Sequence, residues 1–401
     1  MIAFRNVVRQ RRRAAAGLGA VAFGVVALLV AGGFIEWIFW AMREDAIRSR
    51  LGHIQVTRPG YIGSGAADPF AYLLPDRSPE LERIEQLPGV VTVAPRLAFS
   101  GLASLGDATL SFIGEGVVPD KERELSRAVT VVAGENLSAD EPSGVLLGEG
   151  LAANLGAAVG DPIILLVNTQ GGGVNAVEGR VRGLFATPSK AYDDAALRVT
   201  LPVARQLLRT SGAHTWAVLL DATERTDAAL ATIRGTLAGG KLEATPWREL
   251  ADFYNKTVAL FSRQVAVMKG IIGLIIILSI SNTLMMAVME RTGEIGTSMA
   301  LGTTRRGILL QFVSEGAVLG LLGGLLGVTV GLLLAQLLSL VGIPMPPPPG
   351  MARGYTGRIL VTGGLVLEAL ALAVATALVA SLYPAWKASR MKIVDALRHN
   401  R

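Results

Sequence analysis

Glu290–Gln311 reads ERTGEIGTSMALGTTRRGILLQ and sits between two long apolar runs, Val265–Met289 and Ile308–Leu340. A bilayer-spanning helix needs roughly 20 apolar residues. Both runs meet that length, so the polar stretch carrying Glu290, Arg291, Glu294, Arg305 and Arg306 has to turn outside the lipid. Its content exceeds that of a solvated loop. Ile295, Met299, Ala300 and Leu301 give a small apolar face, while Gly293, Gly296 and Gly302 permit close backbone approach. The pattern predicts a short amphipathic element over 290–307 on the membrane surface, suited to dock in a groove of another protein.

Composition agrees with a membrane protein. The 401 residues are 51% hydrophobic and only 17% charged, with mean hydropathy +0.47, whereas a soluble chain carries roughly a quarter charged residues. The net charge of +6 concentrates at the ends. Arg5, Arg9, Arg11, Arg12 and Arg13 precede the first apolar run, and Lys387, Arg390, Lys392, Arg398 and Arg401 follow the last. No aromatic residues interleave with these arginines, so they read as an orientation signal and not as a nucleic-acid surface. The absence of cysteine excludes disulfides and thiolate metal sites.

Ala14–Trp40 is the first span, an uncleaved signal-anchor ending in the aromatic belt Glu36-Trp37-Ile38-Phe39-Trp40. Residues 1–12 read as an amphipathic surface segment or as a frayed basic tail. Residues 43–258 hold no spanning run and have ordinary soluble composition. Strands are expected at His53–Thr57, Val90–Ala94, Ala98–Leu105, Thr109–Gly114, Val145–Gly148, Pro162–Asn168, Val177–Phe185, Trp216–Asp221 and Leu242–Thr245. Helices are expected at Pro79–Leu87, Glu149–Leu155 and Arg225–Leu237. This pattern predicts an α+β domain of two lobes, the outer one over about 125–212 inserted into the inner one. Asn168, Thr169, Gln170, Gly171, Gly172 and Gly173 form a flexible tip, either a partner contact or a plain hairpin. A helix from Trp247 through Phe261 runs directly into the second span, a stiff link that transmits displacement. Lys269 near the outer end of that span can snorkel to the interface.

Ile308–Leu340 is longer than one span needs, and Gly316, Gly320, Gly323, Gly324, Gly327 and Gly331 give it ridges for tight helix packing. Glu315 near its inner end reads as a charge-paired structural residue. Ile343–Gly350 is a proline-rich extended loop, and Ile359–Leu382 is the fourth span. Glu368 within it is a functional candidate, with pairing inside the bundle as the alternative. The basic segments place both termini and the 290–307 turn on the cytoplasmic side, with the large domain outside.

Three stretches carry a resemblance. Glu290-Arg291-Thr292-Gly293-Glu294-Ile295-Gly296 with Ala300-Leu301-Gly302, Arg305-Arg306 and Glu315 resembles the coupling-helix signature of MacB/FtsX/LolC-type ABC transporter permeases, the type VII group. Tyr383–Arg390 with Asp395-Ala396-Leu397-Arg398 is similar to that family's C-terminal motif, and Phe4-Arg5-Asn6 with Arg11-Arg12-Arg13 and Ala22–Val25 to its N-terminus. Thr303-Thr304 departs from it, where small residues are more usual. The resemblance implies an N-terminal segment and first helix over 1–42, a MacB-like periplasmic core domain over 43–258, and an FtsX-like permease domain over 259–401. It implies a permease dimer, homo- or heteromeric, docked through the coupling helix onto a cytoplasmic ABC ATPase dimer that uses ATP and Mg. It also implies mechanotransmission in a bacterial inner membrane, with the core domain periplasmic. The chain carries no Walker A motif, so ATP hydrolysis is assigned to the partner.

Lipoprotein or another hydrophobic substrate taken from the membrane is the expected cargo, with a periplasmic carrier or adaptor as a further partner. Export of small molecules or peptides in a MacB-like tripartite pump, and an FtsX-like regulator of a periplasmic enzyme, are the alternatives. Catalysis by this chain is not expected, because His53, His214 and His399 are dispersed and no HExxH or GxSxG occurs. No cofactor or metal site is expected.

Overall fold

The computed structural model describes residues 11–391 apart from 66, 238, 240 and 347–353. The surface segment expected over 1–12 lies outside it except for the backbone of Arg11 and Arg12. Most of the proline run and the basic tail from Lys392, with its Asp395–Arg398 motif, also lie outside. The chain divides into two units, one of Met1–Trp40, Thr257–Pro344 and Thr356–Arg401 and the other of Ala41–Lys256 and Met345–Tyr355.

The second, core unit receives the end of helix α1 (Arg11–Ala46), which closes in one wide turn of π-helix, Ile47–Leu51. Gly52 ends that turn with its amide donating to the Ile47 carbonyl at 2.9 Å. Its φ is +65°, and a Cβ there would lie 2.9 Å from the Val218 carbonyl oxygen, so only glycine fits this corner. The strands are β1 (Ile54–Thr57), β2 (Val90–Leu105), β3 (Ala108–Val117), β4 (Thr130–Gly134), β5 (Gly144–Gly148), β6 (Pro162–Asn168), β7 (Val174–Ala186), β8 (Ala196–Thr200), β9 (Thr215–Leu220) and β10 (Glu243–Pro246). They pair in the order β10-β1-β9-β2-β3-β8-β5-β7-β4, with β6 joining β2 and β7. Helices α2 (Pro79–Glu85), α3 (Pro119–Leu125), α4 (Glu149–Leu155), α5 (Leu201–Leu208) and α6 (Thr226–Thr236) cover the faces.

β2 is the strand that joins the lobes. Its first half, to Arg96, pairs only with β9, and its second half, from Leu97, pairs with β3 and β6. The expected gap between strands at 94 and 98 is therefore absent. Pro95 is tolerated because β2 has a neighbour on one side only at that point, where a missing N–H costs least. The outer lobe accordingly starts before the expected residue 125. Leu97, Phe99 and Phe112 from β2 and β3 share one core with Leu147, Val181 and Leu197. A separate core under β1, β2 and β9 collects Ile54, Val93, Trp216 and Val218 with Ile84 of α2 and Ile233 of α6. β5 and β8 are buried along their whole length, as strands covered on both faces must be. α2 begins where Ser78 caps it, its hydroxyl accepting from the Leu81 amide at 3.1 Å with Pro79 in the first turn.

After β10 a short turn, Trp247–Leu250, ends at Ala251, whose φ of −91° and ψ of 58° are not helical. The expected continuous helix from Trp247 thus begins at Asp252. From there α7 (Asp252–Glu290) runs unbroken. The membrane unit adds α8 (Thr292–Ala300), α9 (Arg305–Val341) and α10 (Gly363–Ser389). Among the described residues four helices, α1, α7, α9 and α10, are long and apolar enough to cross a membrane. Val25, Leu28, Ile276, Ile280, Leu319 and Ala373 lie at the centre of their bundle. The fold is therefore four membrane helices with an α+β core domain between the first two.

Candidate coupling site

The turn between α7 and α9 is shorter as a helix than the expected 290–307. α8 covers Thr292–Ala300, and Gly302, with φ +100°, reverses the chain. The two threonines that depart from the family pattern shape this corner. Thr304 caps α9, its hydroxyl accepting from the Gly307 amide at 3.2 Å, and the Thr303 hydroxyl lies 2.9 Å from that of Ser298. Arg305 and Arg306 then form the exposed first turn of α9.

The apolar side of α8 is turned into its own bundle. Ile295 is buried with Val288, Ile308, Phe312, Ala385 and Ala388, and Met299 packs against the same cluster. Gly296 is buried as well. Arg291 also points inward. Its Nε donates to Glu294 at 3.1 Å, its Nη1 donates to the buried Glu315 at 3.1 Å, and its guanidinium lies over the Phe312 ring. Glu315 is thus paired structurally, and removing it would leave a largely buried cation. What faces outward is a different set: Glu290, Glu294, Thr297, Ala300, Leu301, Gly302, Arg305 and Arg306. Leu301, 84% exposed, is the apolar residue at its centre. Of the expected docking residues, Arg291, Ile295 and Gly296 therefore face the bundle, with Met299 against the same cluster, because Phe312 of α9 and Ala385 of α10 cover that side of α8.

The glycines of α9 form two ridges. Gly316, Gly320 and Gly324 face α10, where added Cβ atoms would lie 2.6–2.7 Å from Ser381, Ala377 and Leu370. Gly323, Gly327 and Gly331 face α1, where added Cβ atoms would lie 2.7–2.8 Å from Val21, Ala22, Val25 and Leu29. Lys269 of α7, expected to snorkel to the interface, forms an ion pair with Glu368 of α10.

The core unit holds a buried charge cluster that the sequence reading did not single out. Arg96 of β2 donates through Nε and Nη2 to both oxygens of Glu122 of α3, each at 2.7 Å. Arg198 of β8 meets Glu115 of β3 at 3.0 Å. Both guanidinium groups also reach carbonyls of the π-turn that ends α1: Arg198 Nη2 donates to Ser49 at 3.3 Å, and Arg96 Nη1 to Arg50. A helix C-terminus leaves carbonyls unpaired and carries partial negative charge, so two cations there satisfy both needs. Burial pushes the Glu115 and Glu122 carboxyls up, but Arg96 and Arg198 beside them outweigh it and hold both below the usual carboxylate range.

A second tether lies nearby. The Leu220 amide donates to His53 Nδ1 at 3.0 Å, so Nε2 carries the proton and donates to Thr223 Oγ1 at 3.0 Å. The Thr223 hydroxyl in turn donates to Glu44 of α1 at 3.1 Å. Burial lowers His53 to about 4. His214 is likewise lowered by burial, accepting from the Ala98 amide at 3.1 Å and donating to the Pro69 carbonyl at 2.9 Å. Both histidines are neutral structural residues, and no group of metal-binding side chains occurs among the described residues. His399 lies outside them.

The Asn168–Gly173 tip is tied down. The Thr169 amide donates to the Gly173 carbonyl at 2.8 Å, the Gln170 amide to the Leu208 carbonyl at 3.1 Å, and Thr210 to the Gln170 side chain at 2.9 Å. Gln170, Gly171, Gly172 and Gly173 are exposed on this clamped hairpin, while Thr169 is buried.

Two family profiles match the chain. The MacB-like periplasmic core domain matches residues 18–236, and the FtsX-like permease C-terminal region matches residues 266–393. The chain is similar to the lipoprotein-releasing system transmembrane protein LolC of Xylella fastidiosa, 25% identical over 342 residues that cover 78% of each chain. It is similar to the macrolide export ATP-binding/permease protein MacB of Brucella abortus, 39% identical over 150 residues. That match covers 37% of this chain and spans only 21% of the relative. The periplasmic region of MacB from Actinobacillus actinomycetemcomitans aligns with a TM-score of 0.36 at 12% identity, over 52% of this chain and 95% of that one.

Proposed function

The chain belongs to the family with a MacB-like periplasmic core domain and an FtsX-like permease C-terminal region, and from that premise we propose that a separate cytoplasmic ABC ATPase dimer drives it by mechanotransmission. It is an ABC transporter permease of the MacB/LolC type. The observation that carries the coupling is the anchoring of α8. With Ile295 sealed among α7, α9 and α10 residues and Arg291 bonded to Glu315, a push on the exposed side moves the ends of three helices together. Glu290 and Glu294 at one end of that side, and Arg305 and Arg306 at the other, suit a groove of opposite polarity on the ATPase. ATP and Mg act in that partner.

In this reading both termini and α8 are cytoplasmic, the core domain is periplasmic, and a second permease copy or paralogue completes the complex in a bacterial inner membrane. The cargo is a lipoprotein or another hydrophobic molecule taken from the membrane, which the extended similarity to LolC supports over the MacB-like export of small molecules. The hairpin at Asn168–Gly173 is the place for a periplasmic carrier.

Glu294→Arg is the test. It should break association with the co-expressed ATPase, read by pull-down, and abolish transport while the chain folds and inserts normally. Normal transport and pull-down by that variant would refute docking at α8.

A further inference from the structure

Lys269 and Glu368 form an ion pair with an unusual setting. Along α7, Lys269 lies 21 positions before Glu290, about 30 Å at 1.5 Å per residue. Glu290 sits at the polar turn, and the hydrocarbon core of a bilayer is about 30 Å thick. The pair therefore stands at the opposite hydrocarbon boundary, at the depth of lipid headgroups. α10 gives the same level independently. Gly273 of α7 faces Thr376 of α10, with an added Cβ 3.3 Å from the threonine methyl, and Lys269 and Glu368 each precede that contact toward the same end.

Charges within spans are ordinarily turned into the bundle. This pair is open instead, with the Glu368 side chain 52% exposed and that of Lys269 26% exposed. An exposed carboxylate beside an ammonium offers one acceptor and one donor at headgroup depth. Inward from Glu368, at helical spacing on α10, Ala371, Ala375 and Val379 are exposed. The small alanines leave room for acyl chains along that face.

The geometry points to a binding site for one phospholipid with a zwitterionic headgroup, its phosphate on Lys269 and its ammonium on Glu368. A primary ammonium donates hydrogen bonds to the carboxylate, whereas the quaternary ammonium of choline has no N–H to donate. An anionic glycerol headgroup satisfies Lys269 alone and meets repulsion from Glu368. The site therefore selects phosphatidylethanolamine over phosphatidylcholine and phosphatidylglycerol. This holds whatever the ATPase partner and cargo are.

The test uses the full chain in mixed vesicles with equal amounts of the three lipids, extracted gently and weighed intact by mass spectrometry. The wild type should retain phosphatidylethanolamine several-fold over phosphatidylglycerol. Glu368→Gln should reduce that to the phosphatidylcholine level, and Lys269→Gln, which removes the phosphate contact, should reduce retention of all three lipids. The exchanged double variant Lys269→Glu/Glu368→Lys keeps one charge of each sign and should keep the preference, which covers the case in which a single variant does not fold. Equal retention across all variants, retention following anionic lipid, or cross-links joining position 269 of two copies with lipid excluded would each overturn the site.

Discussion

Arg291 shows how one side chain changes the meaning of a motif. In the sequence it is one of several charges on a polar turn, but in the structure it reaches inward to Glu315 and braces α8 against α9. His53 makes a comparable point in the core unit. Its folded value of about 4 lies below its ordinary 6.5, so the unfolded chain takes up a proton first as pH falls. Stability from the buried neutral ring is present above pH 6.5 and is lost between 6.5 and 4, by about 3 kcal/mol in all. Glu115 and Glu122 act in a lower window, because their contribution is complete above the usual carboxylate range and is lost as pH falls from that range through their depressed folded values. Amide exchange at Leu220 should therefore accelerate between pH 6.5 and 4 relative to His53→Gln measured at the same pH. Matching pH dependence in the two proteins would remove His53 from this role.

At the scale of elements, α9 acts as the axis of the bundle because its two glycine ridges admit α10 on one side and α1 on the other. Neither approach tolerates a side chain. Gly327→Leu would place carbon beyond a Cβ that already lies 2.7 Å from Val25 Cβ and the Ala22 carbonyl oxygen. Overpacking of this kind costs about 1–3 kcal/mol. The variant should melt at lower temperature in detergent and lose engineered cross-links between α1 and α9, while cross-links between α9 and α10 persist. Loss of both sets alike would argue that the ridges do not work separately. The composition of α9 made tight packing legible, but glycine content carries no information about which helix each ridge meets.

At the scale of the whole molecule, α1 and α7 are, among the described residues, continuous helices whose residues are divided between the membrane and core units. α1 ends in the clamp of Arg96, Arg198, Glu115 and Glu122, and α7 starts just after the break at Ala251. In the coupling reading both act as rods. Insertion of a Gly/Ser segment beside Phe261 in α7 should abolish transport while the ATPase of the complex stays active. Transport at the normal rate would show that α7 transmits nothing.

Hydrophobic run length and charge placement, which are local properties, determined the membrane class, the four spans, the polar turn and the α+β character of the core. The buried arginines left a faint local trace, since Arg96 and Arg198 interrupt otherwise apolar strand sequences. Their partners come from β3, α3 and the π-turn, and only folding brings these together. The lobe boundary was likewise out of reach, because Pro95-Arg96 reads as a gap between two strands, whereas a single strand runs through it and changes neighbours at Leu97. Which side of α8 faces the bundle was also decided by the tertiary structure. Apolar residues occur toward both sides of that short helix, and the outcome depends on Phe312 and Ala385, which lie in other helices.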